Sequence, residues 1–270
     1  MNSIFIIQLI VSFFVGGGFV ALLTLLAEKA GSRLSGIIIS FPSTALLGFF
    51  FLAWTQSPEE VALIVPATLI PMGITVLFPV FYIYIARFGS VFIKKRLLLI
   101  LFSFSISVSI WLLLALFVTE HKLSSLVYGI IGYLVLTIIA YFFLRKSNTQ
   151  HLQSHSYSVW QIIGRAVFVG FIIALIVFLG EVASPFWGGV FAMFPAALSA
   201  SLIVIHWYYG HKNLFELCRK IPLGSLSIFV YTIVVMLVFP IYGFVLGTVI
   251  ALMSSLATSL LLSFLSKLTK

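Results

Sequence analysis

Two Phe-Pro pairs, ending at Pro42 and Pro195, interrupt apolar runs of the sequence at matching positions. A glycine precedes each proline by six residues, at Gly36 and Gly189. Proline lacks the N–H that a helix needs at that point, so each pair predicts an interrupted helix with a freed carbonyl. Freed carbonyls beside small polar side chains can bind an ion or a polar ligand. A plain packing kink is the alternative for each proline taken alone.

The side chains next to the two prolines differ in polarity. Ser40, Ser43 and Thr44 lie beside the first proline. The second proline has one methionine and two alanines as neighbours, Met193, Ala196 and Ala197. A site between the two interruptions is therefore predicted to have one polar wall and one apolar wall.

Two glutamates also occupy matching positions, Glu28 and Glu181, each at the end of an apolar run. The helix macrodipole opposes a carboxylate at a helix C-terminus. Glu28 has Lys29 and Arg33 nearby, which favours a structural ion pair. Glu181 has no basic neighbour in sequence, so partial burial would let it take up protons or bind substrate. An interfacial carboxylate in water is the alternative.

Arg165 lies about six residues inside an apolar run. Its long stem can carry the guanidinium to the interface, or the side chain can face the protein interior and attract an anion. His151 and His155 stand four residues apart in a Ser/Gln-rich stretch, which favours a solvated linker over a metal site. His206 and His211 are predicted to be interfacial.

The sequence favours no enzyme class. It has no His-Glu-x-x-His and no Gly-x-x-x-x-Gly-Lys motif, and it contains no aspartate to pair for magnesium. We therefore predict no catalytic residue, no metal and no cofactor. Cys218 is the only cysteine, which excludes an intrachain disulfide and a cysteine metal cluster.

Composition predicts an all-α integral membrane protein. The 270 residues are 62% hydrophobic and 8% charged, with a mean hydropathy of +1.26, whereas soluble domains carry about 25% charged residues. Runs of about 20 apolar residues predict about nine transmembrane helices, with a break at Pro240 between the last two. They are Ile4–Ala27, Leu34–Trp54, Val61–Ala86, Leu97–Val118, Leu123–Leu144, Val159–Gly180, Phe186–Tyr209, Ile221–Phe239 and Ile241–Leu265.

The chain contains an internal duplication. Residues 8–42 and 161–195 align without a gap at a shift of 153, with eleven identities in 35 positions. Gln8, Gly17 and Glu28 all find identical counterparts. Polar and glycine matches carry weight because such residues are rare or costly in lipid.

Charge predicts the orientation of the two copies. Alternating the loops between two faces places thirteen of the fifteen basic residues on one face and only Lys122 on the other. The basic face is cytoplasmic, so the N-terminus lies outside and the C-terminus inside. The net charge of +9 is explained by these loops, and a nucleic-acid partner is not expected.

The span count then fixes the arrangement of the copies. Residues 1–120 form a first repeat of four spans, and residues 121–146 form one linker helix. Residues 147–158 form a polar cytoplasmic linker, and residues 159–270 form a second repeat of four spans. Because one extra crossing separates the repeats, the second enters the bilayer from the opposite face. We expect two inverted four-helix repeats.

The stretch from Gly36 to Pro42, followed by Ser43-Thr-Ala-Leu-Leu47, resembles the GlpM family of small bacterial membrane proteins. The second copy from Gly189 to Pro195 and the run His206-Trp-Tyr-Tyr-Gly210 resemble it as well. Members of that family resemble one unit of about four helices. The resemblance implies a fused pair in a bacterial cytoplasmic membrane, and it implies no reaction or substrate.

These patterns predict a small secondary transporter or permease that works by alternating access. Its site would lie between the second and seventh spans, with Glu181, Glu28 and Arg165 as ion-coupling or anion-binding groups. The expected partners are the bilayer and a small molecule or ion, and a homodimer is compatible with the sequence. The alternative is a non-transporting scaffold or accessory subunit of an envelope process. A channel is disfavoured because no ring of like charges is evident.

Overall fold

A computed structural model describes residues 3–29, 42–121, 125–145, 158–211 and 214–268. Over these residues the chain is helical, without strands. The helices are α1 (Ser3–Lys29), α2 (Ser43–Thr55), α3 (Pro58–Gly89), α4 (Arg96–Glu120), α5 (Leu126–Leu144), α6 (Val159–Val182), α7 (Pro185–Ala192), α8 (Ala196–Tyr209), α9 (Leu214–Cys218) and α10 (Ile221–Leu268).

Seven stretches of the described residues are long and apolar enough to cross a membrane, against the nine predicted. The predicted second span begins outside the described residues, which retain its last part as the 13-residue α2. The predicted eighth and ninth spans both lie in α10. The protein is an all-helical membrane protein, as composition indicates.

The interruption in α10 lies at Gly243, whereas the sequence predicted it at Pro240. Gly243 has φ 70° and ψ 175°, a conformation that glycine adopts without strain. Beyond it, a Cβ on Gly247 would lie 2.7 Å from the ring of Phe239. Eight residues of continuous helix span about 12 Å, so the chain must fold back at the glycine. Pro240 is accommodated in the last turn before this bend.

Local sequence explains where two of the long helices begin. Ser57 caps α3 by accepting a hydrogen bond from the N–H of Glu60 at 3.1 Å. Pro58 follows at the first helical position, where its missing N–H costs nothing. Ser158 and Gln161 form a reciprocal capping box at the start of α6.

Helices α3 and α7–α8 form the interior of the bundle. The most apolar window of α3 is 72% buried and that of α7–α8 is 67% buried, whereas the other candidate spans are 22–33% buried. Helix α3 packs against α2, α4, α5, α7 and α10. Glycines bring α5 close to α3, because a Cβ on Gly129 would lie 2.8 Å from the carbonyl oxygen of Pro66.

Helices α1 and α6 pack closely through one glycine from each. A Cβ on Gly17 would lie 2.6 Å from the carbonyl oxygen of Ala166, and a Cβ on Gly170 would lie 2.5 Å from that of Phe13. Phe13 thus lies opposite Gly170, and Gly17, further along α1, lies opposite Ala166, which comes earlier in α6. The two helices are antiparallel at this contact.

Candidate functional site at two interior helix starts

The two Phe-Pro positions have the same backbone conformation. Pro42 has φ −74° and ψ 45° and precedes α2, and Pro195 has φ −76° and ψ 53° and precedes α8. The carbonyl of each proline accepts a 2.7 Å hydrogen bond from the residue four positions later, Leu46 or Ser199. Neither helix start has a side-chain cap. Both prolines are buried, so these are two interior helix starts of equal geometry.

The segments before the two prolines are described unequally. Before Pro195, α7 is an eight-residue helix that ends in two hydrogen bonds between residues three positions apart. The N–H of Met193 donates to the carbonyl of Val190, and that of Phe194 to the carbonyl of Phe191. Before Pro42, Gly36 and Ser40 lie outside the described residues. Ser43 is buried and Thr44 half-buried in the first turn of α2.

Glycines let α7 sit against both neighbouring helices. A Cβ on Gly189 would lie 2.5 Å from the Cδ1 atom of Ile64 on α3. A Cβ on Gly48 of α2 would lie 2.8 Å from the Cβ of Ala192 on α7. The helix that follows the first proline therefore lies against the helix that precedes the second. The Ala192 Cβ cannot rotate away, so the close approach requires glycine at position 48.

A hydroxyl from α3 satisfies the carbonyl freed at the second interruption. Thr75 Oγ1 donates a hydrogen bond to the carbonyl oxygen of Met193, and it accepts one from Trp111 Nε1 at 2.9 Å. The ring of Trp111 also packs edge-on against Phe191 and Phe194, with centroids 5.7 and 5.1 Å away. The wall predicted to be apolar thus contains a chain of two hydrogen bonds, from Trp111 to Thr75 and from Thr75 to Met193, which we call the relay. Sequence reasoning missed Thr75 and Trp111.

One signal for the relay was present in the sequence. Proline at position 195 predicts that the helix before it ends there, so the last carbonyls of that helix, including that of Met193, need donors from elsewhere. A further similar motif, Ile70-Pro-Met-Gly73 and Ile221-Pro-Leu-Gly224, recurs at a shift of 151. It extends the internal similarity into α3, the helix that carries Thr75.

Helix α5 contacts Gly73 in the first copy of this motif and the residues that follow the second copy. The Tyr133 hydroxyl makes a 2.8 Å hydrogen bond with Ser225 Oγ, and its ring stacks on Phe229 at 4.7 Å. A Cβ on Gly73 would lie 3.1 Å from the Cα of Tyr133. One tyrosine on α5 therefore joins α3 and α10.

Glu181 lies exposed at the end of α6 and is not at the interruptions. Its Oε2 accepts a 2.7 Å hydrogen bond from Gln56 Nε2, at the end of α2. The thirteen residues of α2 place this contact about 20 Å from Pro42. Glu181, which has no basic neighbour in sequence, is thus paired with the side-chain amide of Gln56, 125 positions earlier. The side chain of Glu28 lies outside the described residues.

Arg165 is half-buried on α6, one residue before the close contact at Ala166. Helix α6 packs against α8 as well as α1. Among the described side chains, the buried polar set consists of serines, threonines and one histidine. No acidic side chain is among the described buried residues.

His206, in the last turn of α8, is buried within the protein, with 1% exposure. Its Nδ1 forms a 3.0 Å hydrogen bond with the Tyr82 hydroxyl, and its ring lies 6.2 Å from that of His211. Next to it, Arg96 Nη1 donates a 2.6 Å hydrogen bond to the carbonyl of Trp207. Helix packing explains the burial, because α8 packs against α4 and Tyr82 of α3 contacts the imidazole ring.

Comparison of the chain with protein-family models, with curated proteins and with solved structures finds no match.

Proposed function

We propose that the protein is a small secondary transporter that works by alternating access, with its site at the interruptions before α2 and α8. The observation that carries this proposal is the pair of buried helix starts at Pro42 and Pro195, which share one backbone geometry. Interrupted helices expose backbone donors and acceptors inside a protein that otherwise satisfies them within each helix. Paired interruptions of this kind form the sites of many secondary transporters.

The proposal includes two inverted repeats, residues 1–120 and 159–270, joined by the linker helix within 121–146. The reciprocal contact of Gly17 and Gly170 supports it, because equivalent residues meet equivalent partners on antiparallel helices. A two-fold axis in the membrane plane relates two such helices. The resemblance to one GlpM-like unit per repeat is part of the same proposal.

Two polar contacts join the proposed repeats at opposite ends of α3. Gln56 meets Glu181 just before α3 begins, and Tyr82 meets His206 in its last turns. Tyr82 lies 24 positions after Pro58, a helical length of about 36 Å, compared with a hydrocarbon core of about 30 Å. Each contact is placed to close one side of a central site. With the basic loops inside, the Gln56 contact is extracellular and the Tyr82 contact cytoplasmic.

The proposal can be tested without knowing the substrate. Ser43 and Ala196 are the first residues of α2 and α8, and both are buried. Cysteine is introduced at each position in a Cys218→Ser background, which otherwise has no thiol. The protein is placed in vesicles of known orientation and treated with a membrane-impermeant maleimide on either side. Alternating access predicts that each cysteine reacts from both sides, slowly.

Sidedness is controlled with cysteines at exposed positions predicted to lie on opposite faces. Glu59→Cys should react only from the outside and Lys94→Cys only from the inside. If Ser43→Cys and Ala196→Cys react from neither side, or both from the same single side, alternating access is wrong. The non-transporting scaffold then becomes the better proposal.

A further inference from the structure

We propose that the start of α8 binds a small monocarboxylate through the hydroxyl of Ser199 and the adjoining backbone amides. The assignment rests on the proposed function in treating this ligand as the transported substrate. It adds the chemical class of the ligand and the residue that recognises it. Ser199 was not among the residues that sequence analysis selected.

The first observation is an unpartnered hydroxyl. Ser199 is completely buried, and its Oγ has no hydrogen-bond partner. The buried hydroxyls of Ser103, Ser107 and Ser227 each bond to a carbonyl of their own helix, at 2.7 Å. A hydroxyl removed from water without a partner is costly. The missing partner is most simply a ligand.

The second observation is the direction of that hydroxyl. Ser199 is the fourth residue of α8 and lies four positions after Pro195, so the two residues share one face of the helix. The Cα–Cβ bond of a helical residue tilts toward the helix N-terminus. The side chain of Ser199 is therefore directed back toward the interruption.

The third observation is a set of free amides at the same place. Pro195 provides no side-chain cap for α8. Among the described residues, the N–H groups of Ala197 and Leu198 have no acceptor, whereas the N–H groups of Ala196 and Ser199 bond to Phe194 and Pro195. Two amides and one hydroxyl thus offer three donors at the positive end of a helix dipole.

The charges of the interior select an anion over a cation. Among the described side chains no buried one is acidic, so none of them offers a carboxylate to a cation or repels an anion. Arg165 lies half-buried on α6, which packs against α8. Three hydrogen-bond donors and one helix N-terminus match a singly charged anion better than a doubly charged one. The aromatic rings of Trp111 and Phe194 beside the interruption suit a ligand with an apolar body.

Thermal unfolding of the purified protein in detergent tests the assignment, with benzoate, acetate and phosphate as probes at constant sodium and ionic strength. Benzoate should raise Tm by at least about 3 °C at saturation, acetate less, and phosphate not at all. Ser199→Ala should weaken the Kd for benzoate about tenfold. Without ligand this variant should be as stable as the parent or more stable, because its hydroxyl has no partner.

Ser201→Ala is the matched control on the same helix. The Ser201 hydroxyl already bonds to the carbonyl of Ala197 at 2.9 Å, so this variant should keep the full response to benzoate. If no carboxylate raises Tm, or if Ser199→Ala responds like Ser201→Ala, the assignment is wrong. Benzoate binding without two-sided labelling of Ala196→Cys would retain the anion site and reject transport. Two-sided labelling without carboxylate binding would retain the transport proposal and reject the anion site.

Discussion

Gly17 and Gly170 each lie against the main chain of the helix that carries the other. The hypothetical Cβ of Gly17 would approach the carbonyl of Ala166, and that of Gly170 would approach the carbonyl of Phe13. Ala166 is itself the counterpart of Phe13 at the shift of 153. The contact is thus reciprocal in both space and sequence, as the proposed two-fold relationship requires.

Alanine at either glycine should destabilise the protein. A Cβ 2.5–2.6 Å from a carbonyl oxygen forces the helices apart, since backbone atoms cannot rotate away. We expect Gly17→Ala and Gly170→Ala each to cost about 1–3 kcal/mol of stability, with a lower Tm in detergent. Small-residue contacts of this kind drive helix association in membranes.

The same two helices offer matched controls. A Cβ on Gly18 in α1 or on Gly164 in α6 would meet no atom within 4 Å. Gly18→Ala and Gly164→Ala should therefore leave Tm unchanged or raise it slightly, because alanine favours helix. Equal losses in all four variants would mean that the α1–α6 contact is not the cause.

The sequence pointed to Pro42 and Pro195 but not to the residues around them. Proline chemistry is local, so Pro42 and Pro195 could be recognised from their neighbours alone. The Thr75–Met193 hydrogen bond joins residues 118 positions apart, and no periodicity encodes such a pairing. The burial of His206 likewise depends on a partner far away in sequence, Tyr82, 124 positions earlier.

The bend in α10 shows how two local rules can compete. Proline and glycine both end helices, and they stand three residues apart at Pro240 and Gly243. Proline at φ near −65° can remain in the last helical turn. Only glycine tolerates the positive φ by which the chain folds back, so the glycine sets the position of the bend.

Loss of the Thr75 hydroxyl should destabilise the second interruption. Thr75→Val keeps the shape of the side chain but leaves the Met193 carbonyl without its donor, and Trp111 Nε1 without its acceptor. We expect a loss of about 1–3 kcal/mol, measured by thermal unfolding. Thr68→Val on the same helix is the control, because the Thr68 hydroxyl bonds only to Val65 of its own helix. Comparable losses in both variants would contradict a special role for Thr75.

Cys218 should be almost unreactive in the folded protein. The residue is buried in the short helix α9, and this burial raises the pKa of its thiol above the ordinary value. Thiolate is the reactive form, so a raised pKa lowers its fraction at pH 7–8. A permeant maleimide should modify the native protein at least about tenfold more slowly than the denatured protein. Mass spectrometry gives the rates, and equally fast modification of the native protein would show that the thiol is accessible.

The two contacts at the ends of α3 should control access to opposite sides. Removing the Tyr82–His206 hydrogen bond with Tyr82→Phe should weaken closure at the cytoplasmic end by about 1 kcal/mol, roughly a fivefold change in population. Labelling of Ala196→Cys from the inside should rise accordingly. Tyr84→Phe is the control, since the side chain of Tyr84 is 42% exposed.

The extracellular end should respond in the opposite sense. Gln56→Ala removes the donor to Glu181 and should speed labelling of Ser43→Cys from the outside by about twofold to fivefold. This increase is smaller than the one expected for Tyr82→Phe, because water and salt weaken the exposed Gln56–Glu181 contact. In alternating access, opening one side closes the other, so inside labelling should fall in this variant and outside labelling should fall in Tyr82→Phe. Faster labelling from both sides in either variant would indicate general loosening of the bundle, and the two contacts would then be structural.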